Sequence, residues 1–180
     1  MDTERWLAAA FYAAFDESRL MMLVSRLGSL SEASRRGVEA YLGEGAHFQS
    51  FSVQSSPIDL VLKVAKSSFT QLGERRVKQW FEALDSIKGI QQGGLVPPMK
   101  AFRHDDLILM AMPKGGCLGG EQSTIIQEKL AVTKQALGQL GLTLDDYPQV
   151  LQAVGVPFII DWSDLEVCQK SLSYKESMRR

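Results

Sequence analysis

Cysteine is scarce. Cys117 and Cys168 are the only two in 180 residues, and they form no CxxC pair. That argues against a disulfide-stapled scaffold or a zinc module and favours two free thiols in a reducing compartment. His47 and His104 likewise lack the spacing of a metal site or a catalytic triad. An excess of either charge is missing too: 20 Lys and Arg face 21 Asp and Glu, a formal net charge of −1. Such a balance offers no field to nucleic acid or to an anionic membrane. The terminal Met178-Arg179-Arg180 is too short for a polybasic anchor. Long apolar runs are absent as well. Asp16, Glu17 and Arg19 interrupt the N-terminal run, and Asp2 and Glu4 precede it, unlike the basic start of a secretory signal. A soluble, cytoplasmic monomer is expected, with no nucleic-acid or membrane partner.

What remains suits one compact domain, or two small lobes sharing a cleft: 45% apolar and 23% charged residues. Trp6, Ala9, Ala10, Ala13, Ala14, Leu20, Met21 and Leu23 predict a helical stripe, and Ser31 starts a second, short helix. Residues 38–42, 48–53 and 60–65 read as strands, with Gly43-Glu44-Gly45 as a turn. A helix is predicted over 73–88, with Val77, Trp80, Phe81, Leu84 and Ile87 on one face. Residues 99–102 and 107–112 read as a hairpin turning at 103–106. After the glycine-rich link around Gly115-Gly116 and Gly119-Gly120 come a helix over 125–140 and a strand over 157–160. The order implies an α+β fold in two lobes.

Three pieces carry chemistry. Gly43 and Gly45 let the backbone approach phosphate oxygens without a Cβ in the way, although taken alone a plain hairpin turn explains them better. Lys63 interrupts the apolar run Leu60 to Ala65, either facing water or reaching into a cleft. Asp161 follows an apolar strand, either capping a turn or holding a divalent cation, since Mg²⁺ needs few carboxylates. Each piece alone has an ordinary structural reading; their order along the chain favours the chemical one.

Leu42 to Val53 followed by Val61-Leu62-Lys63-Val64 resembles the glycine-rich loop and lysine strand of the protein-kinase superfamily. Leu107 to Gly116 resembles its fifth strand and hinge, and Ile160-Asp161-Trp162 its Asp-Phe-Gly strand. The likeness spans about residues 40 to 165. It implies a minimal two-lobe kinase-like fold: a helical N-terminal extension (1–36), a lobe with a small antiparallel sheet and one helix (37–113), and a reduced helical lobe (114–180). It also implies ATP and Mg²⁺ as cofactors. Gly43 and Gly45 would cover the phosphates and Lys63 would neutralise them, positioned by a glutamate of the following helix. Glu82 has the more usual distance along the chain but lies opposite the apolar stripe, so Glu74 is preferred. Met110 or Leu109 would back the adenine pocket, with Ala111 and Met112 offering hinge backbone groups. Asp161 would bind Mg²⁺.

The catalytic loop departs from the family pattern. No His-Arg-Asp is present; Asp145 is the expected base because Pro148 follows it by three, with Asp146 as the alternative. Gln149 or Gln152 would replace the usual metal-binding Asn, and the glycine after Asp161-Trp162 is missing. Asp145-Asp146 reads otherwise as the cap of a helix through Val154. Only nineteen residues follow Asp161, so constitutive activity, or none, is expected. Small size and sparse motifs resemble bacterial effector kinases delivered into host cells, one family of which phosphorylates a host heat-shock chaperone; that likeness is analogy. It implies a protein serine/threonine kinase. The rival readings are a catalytically dead pseudokinase serving as a binding module and a small-molecule kinase resembling aminoglycoside phosphotransferases.

Overall fold

The computed structural model describes residues 2–16, 18–90, 94–118, 123–144, 148–163 and 165–167. The N-terminal stripe forms two helices rather than one. Helix α1 (Thr3–Phe15) is capped by Asp2, whose carboxylate accepts the Glu4 N–H, and it stops at Asp16. Helix α2 (Ser18–Gly28) follows. The short α3 (Glu32–Arg35) begins where expected, with Ser31 Oγ accepting the Ser34 N–H.

Five strands then build one antiparallel sheet: β1 (Tyr41–Glu44), β2 (Phe48–Val53), β3 (Leu60–Ala65), β4 (Lys100–His104) and β5 (Leu107–Pro113). Their spatial order is β1-β2-β3-β5-β4. The first strand starts three residues later than predicted, with Val38 packed into the core beneath the sheet, and it runs through Gly43 and Glu44; the turn expected at 43–45 instead follows β1, where the Gly45 N–H donates to the Phe48 carbonyl at 2.9 Å.

Both faces of the sheet are covered, which explains why β3 and β5 read as nearly continuous apolar runs. On the outer face Phe51, Leu60, Leu62, Val64, Leu109 and Ala111 pack with Phe11, Ala14, Leu20, Val24 and Leu27 of α1 and α2. On the inner face Phe48, Ala65, Ile108, Met110 and Met112 pack with the helix that follows β3. Each such Leu, Val or Phe contributes about 1.5–3 kcal/mol on burial.

Between β3 and β4 lie α4 (Ser67–Thr70), which sequence reading passes over, and α5 (Glu74–Ser86), which ends in a single 3₁₀ turn, Ile87–Ile90. Residues 94–99 are buried, and Leu95 ties three elements together. Its N–H donates to Thr133 Oγ1 at 2.9 Å, and its carbonyl accepts the Ile159 N–H at 2.9 Å. Thr133 is fully buried on α6 (Ser123–Gln139), the helix predicted over 125–140.

The described residues after α6 form two small ribbons. Strand β6 (Leu142–Thr143) pairs with β9 (Glu166–Val167), and β7 (Val150–Ala153) pairs with β8 (Val156–Ile159). Residues 150–153 are therefore strand and not the end of a capped helix. Val154 and Gly155 both take positive φ, the geometry of a two-residue hairpin turn. The α+β class is as expected. No helix among the described residues is long and apolar enough to cross a membrane.

The glycine-rich link after β5 is stitched onto β7: Gly116 and Gln152 exchange both backbone hydrogen bonds, at 2.8 and 3.1 Å. Gly115 sits where no side chain fits, since a Cβ there would meet Leu151 Cβ at 2.6 Å and the Phe158 ring at 3.1 Å. Gly115→Ala should cost about 1–3 kcal/mol through overpacking, lowering the urea midpoint with an unchanged m-value. A midpoint equal to that of the unsubstituted protein would show that the link is loosely seated.

Candidate functional site

One rung across the inner face of the sheet brings several predicted residues into line. Gly43 pairs with Ser50, Ser50 with Lys63, Lys63 with Met110, and Met110 with Ala101. Directly opposed residues on neighbouring strands share a face, so Gly43, Ser50, Lys63 and Met110 all present to the same side. Leu109 belongs to the outer face, which leaves Met110 as the residue behind any inner-face ligand. Met112 lies on the inner face with it, and both methionines are essentially fully buried.

The rung is filled at Met110 and has an open end toward β1. Met110 is fully buried in the cluster that includes α5, whereas Ser50, Ser52 and Val61, like Ala101 at the opposite edge, are only half-buried. At the edge, nothing lies within 4 Å of where a Cβ would stand at Gly43 or Gly45. Lys114 reaches back from the link after β5 and donates from Nζ to Ser52 Oγ at 2.9 Å, crossing the mouth of the open end.

Lys63 stands between these ends and is 8% exposed. Its Nζ donates to the Ile160 carbonyl at 2.5 Å, joining positions 97 residues apart. Ile160 immediately precedes Asp161. Strand β8 stops at Ile159, and the next residues alternate in exposure: Trp162 is fully buried while Asp161 is exposed. Trp162 Nε1 donates to the Ile159 carbonyl at 2.8 Å, folding the chain over so that Asp161 points out of the core. The Asp161 carboxylate accepts from Ser163 Oγ at 2.7 Å and from the Ser163 N–H at 3.4 Å. Ser163 thus braces the carboxylate expected to hold a metal.

Asp145 and Asp146 lie outside the described residues. The described residues on either side of them pair with the chain around Asp161. Thr143 pairs with Glu166 on one side, and the Gln149 carbonyl accepts the Ile160 N–H at 3.0 Å on the other. Gln149 is exposed at that point. Its alternative, Gln152, donates from Nε2 to the Cys117 carbonyl at 3.2 Å, while its Oε1 is buried without a hydrogen-bond partner among the described residues.

The pairing expected between Lys63 and Glu74 is not made. Glu74 is mostly exposed and accepts from Arg103 of β4. Glu82 faces water beside Lys78, 3.9 Å away. Helical geometry gives the reason. At about 100° per residue, Glu74 falls on the same side of α5 as Phe81, whose ring also lies under Arg103. Arg76, Trp80 and Ala83 share the other side, and that side meets residues 162–167. Trp80 Nε1 donates to the Trp162 carbonyl at 2.9 Å. Arg76 Nη2 donates to the Leu165 carbonyl at 3.3 Å and to Glu166 at 3.1 Å. Sequence reading placed Trp80 in the core but gave it no part in the site. Trp162, adjacent to Asp161, and Trp80, on the apolar stripe of the helix after the lysine strand, were the available signal.

No known protein family matches this chain, and no curated protein does either.

Chemically, the arrangement offers a deep ammonium, an open glycine edge lined by half-buried serines and Val61, and an exposed carboxylate at the far side of Lys63. Among the described residues no group of three potential metal ligands is preassembled. One carboxylate, an amide and phosphate oxygens are nevertheless a donor set that suits Mg²⁺, which keeps most of its shell for water and phosphate. The residues present therefore fit Mg²⁺ bound together with a polyphosphate.

The glycine turn carries its own electrostatics. Glu44 is held down to about 2, chiefly by hydrogen bonds from Arg36. Glu32 is also lowered, chiefly by the Ser67 N–H that it accepts. A carboxyl depressed from 4.5 adds stability that is complete above that pH and is lost as pH falls toward the folded value. Glu44→Gln should therefore flatten the fall in melting temperature between about pH 4.5 and pH 2. An unchanged acid limb would show that the Arg36 pair is not maintained in solution.

Proposed function

We propose that this chain binds ATP with Mg²⁺ and transfers the γ-phosphoryl group to a serine or threonine hydroxyl of another protein. The observation that carries the reading is the meeting of Lys63 with the Ile160 carbonyl at 2.5 Å, at the foot of Asp161 and on the rung that starts at Gly43. The element order supports it as well. A five-stranded antiparallel sheet with a helix across one face, then a link, a helix and two short ribbons, agrees with a minimal kinase-like fold.

In this reading Gly43 and Gly45 leave room for the triphosphate, and the Lys63 ammonium offsets its charge in a site shielded from water. Met110 and Val61 border the base. Asp161, braced by Ser163, and Gln149 would hold Mg²⁺, which when bound neutralises oxygens of the transferring phosphate. Asp145 or Asp146 takes the proton of the acceptor hydroxyl as its oxygen bonds to the γ-phosphorus. The bond to the bridging oxygen breaks and ADP leaves. A host chaperone as acceptor, and delivery into a host cell, rest on likeness to effector kinases alone.

A second reading has a specific observation behind it. The side of α5 that faces residues 162–167 carries Arg76 and Trp80, and neither Glu74 nor Glu82 reaches Lys63. That favours a nucleotide-binding module without transfer. Incubating the purified chain with γ-labelled ATP and Mg²⁺, alone, with a protein mixture and with a purified chaperone, separates the two, with calorimetry for binding. Labelled protein supports the kinase; heat of binding without label supports the module; neither signal refutes both.

A further inference from the structure

The middle residue of the glycine turn is fastened from behind. Glu44 pairs across the ribbon with Gln49, whereas Gly43 pairs with Ser50, so the Glu44 side chain projects from the face opposite Lys63. Its carboxylate accepts from Arg36 Nε at 3.1 Å and Nη2 at 2.8 Å, from the Tyr41 hydroxyl at 3.2 Å and from Gln49 Nε2 at 3.2 Å. Lys66 Nζ reaches it at 3.5 Å and also donates to the Gly45 carbonyl at 3.1 Å. The donors come from the end of α3, from β1, from β2 and from the residue after β3. Gln49 is fully buried, and its Nε2 also donates to the Glu32 carbonyl at 2.9 Å.

An ordinary hairpin needs none of this, since a polar residue near its tip is satisfied by water. Two glycines around Glu44, at the end of β1 and the start of its turn into β2, give this corner unusual backbone freedom. If that freedom were lost only when the turn closed over a ligand, the ordering cost would come out of the affinity. Here the turn is fixed in the folded protein through its one side chain, and the other face is left bare. The bidentate Arg36 contact is the strongest kind of fastening available, charge-assisted and planar.

We propose that Glu44 and Arg36 are positioning residues for the phosphate-binding turn, so that the end of the N-terminal helical segment is a working part of the nucleotide site. This rests on the nucleotide reading above. Arg36 touches no ligand; it acts through Glu44, and Glu44 acts through the backbone of Gly43 and Gly45. The structural consequence is a stiff roof over the phosphates, with selectivity for ligands that carry them.

The test is calorimetric titration of the full chain with Mg²⁺-ATP and, separately, with adenosine, which has no phosphates for the turn to hold. Glu44→Gln keeps the size and removes the charge; Arg36→Gln alters a half-exposed side chain and spares the fold. Loss of a charge-assisted hydrogen bond to the turn should weaken ATP binding about ten-fold in Glu44→Gln and about three-fold in Arg36→Gln. Adenosine affinity should be unchanged in both. The exchanged pair Arg36→Glu with Glu44→Arg should recover most of the ATP affinity. Equal ATP affinity in all variants overturns the proposal, as does a parallel loss of ATP and adenosine. If the unsubstituted chain binds neither ligand, the nucleotide reading itself fails and takes this proposal with it.

Discussion

Lys63→Met should leave a folded protein in which the proposed phosphoryl transfer falls by a factor on the order of 10²–10³, the usual effect of removing one preorganised electrostatic contact to a transition state. The substitution is close to a pure deletion of charge. The lysine stem already lies among Val61, Ala65 and Met110, and methionine fills that space with a similar unbranched chain. Two effects on stability oppose each other. The Ile160 carbonyl loses its donor, which costs about 1–3 kcal/mol if water cannot replace it. Against that, the charge of a buried lysine no longer has to be desolvated. The melting temperature should move little while labelled-phosphate incorporation collapses. Lys63→Arg should fail nearly as badly, because a planar fork cannot occupy the place of a compact ammonium in a packed rung. Full activity in Lys63→Met would remove the central residue of the proposal.

The sequence made Lys63 and Asp161 conspicuous because one is a charge inside an apolar run and the other a charge at the end of one, and folding brings such residues to the boundary between core and surface. The same logic located the sheet, because alternation in β2 and continuous apolarity in β3 and β5 report one face or two faces covered. It could not locate the partner of Lys63. Which side of α5 meets residues 162–167 depends on how the helix is rotated, and Glu74 and Trp80 both lie close to its apolar stripe. The tertiary contacts of Arg103 and of the Trp162 carbonyl decide between them. The hairpin of β7 and β8 was hidden for a different reason. Asp145-Asp146 mimics a helix cap, and Val154 at φ 52 is a residue that rarely adopts a left-handed turn. The fastening of Glu44 was equally invisible, since Arg36, Gln49 and Lys66 meet it from separate elements.

Trp80→Ala should be the most destabilising single change considered, at about 3–5 kcal/mol for truncating a fully buried aromatic. Trp80 sits at the centre of an aromatic group, with ring centroids 5.6 Å from Phe48, 5.2 Å from Phe69 and 5.1 Å from Phe81. Against a typical total of about 5–15 kcal/mol, that loss brings the domain near its unfolding threshold. The informative partner is Trp80→Phe. Phenylalanine retains much of the packing but has no N–H for the Trp162 carbonyl, so the stability cost should fall to roughly 1–2 kcal/mol. If α5 positions Asp161 through that hydrogen bond, Trp80→Phe should still raise the Mg²⁺ concentration needed for half-maximal transfer, a change that packing alone does not produce. Arg76→Met, which breaks the exposed contact to Glu166, should shift the same Mg²⁺ titration with under about 1 kcal/mol of lost stability. Urea denaturation gives the stabilities and labelled-ATP transfer across a Mg²⁺ series gives the rest. A normal Mg²⁺ demand in both variants would mean that Lys63 and the ribbon of β7 and β8, without help from α5, hold Asp161 in place.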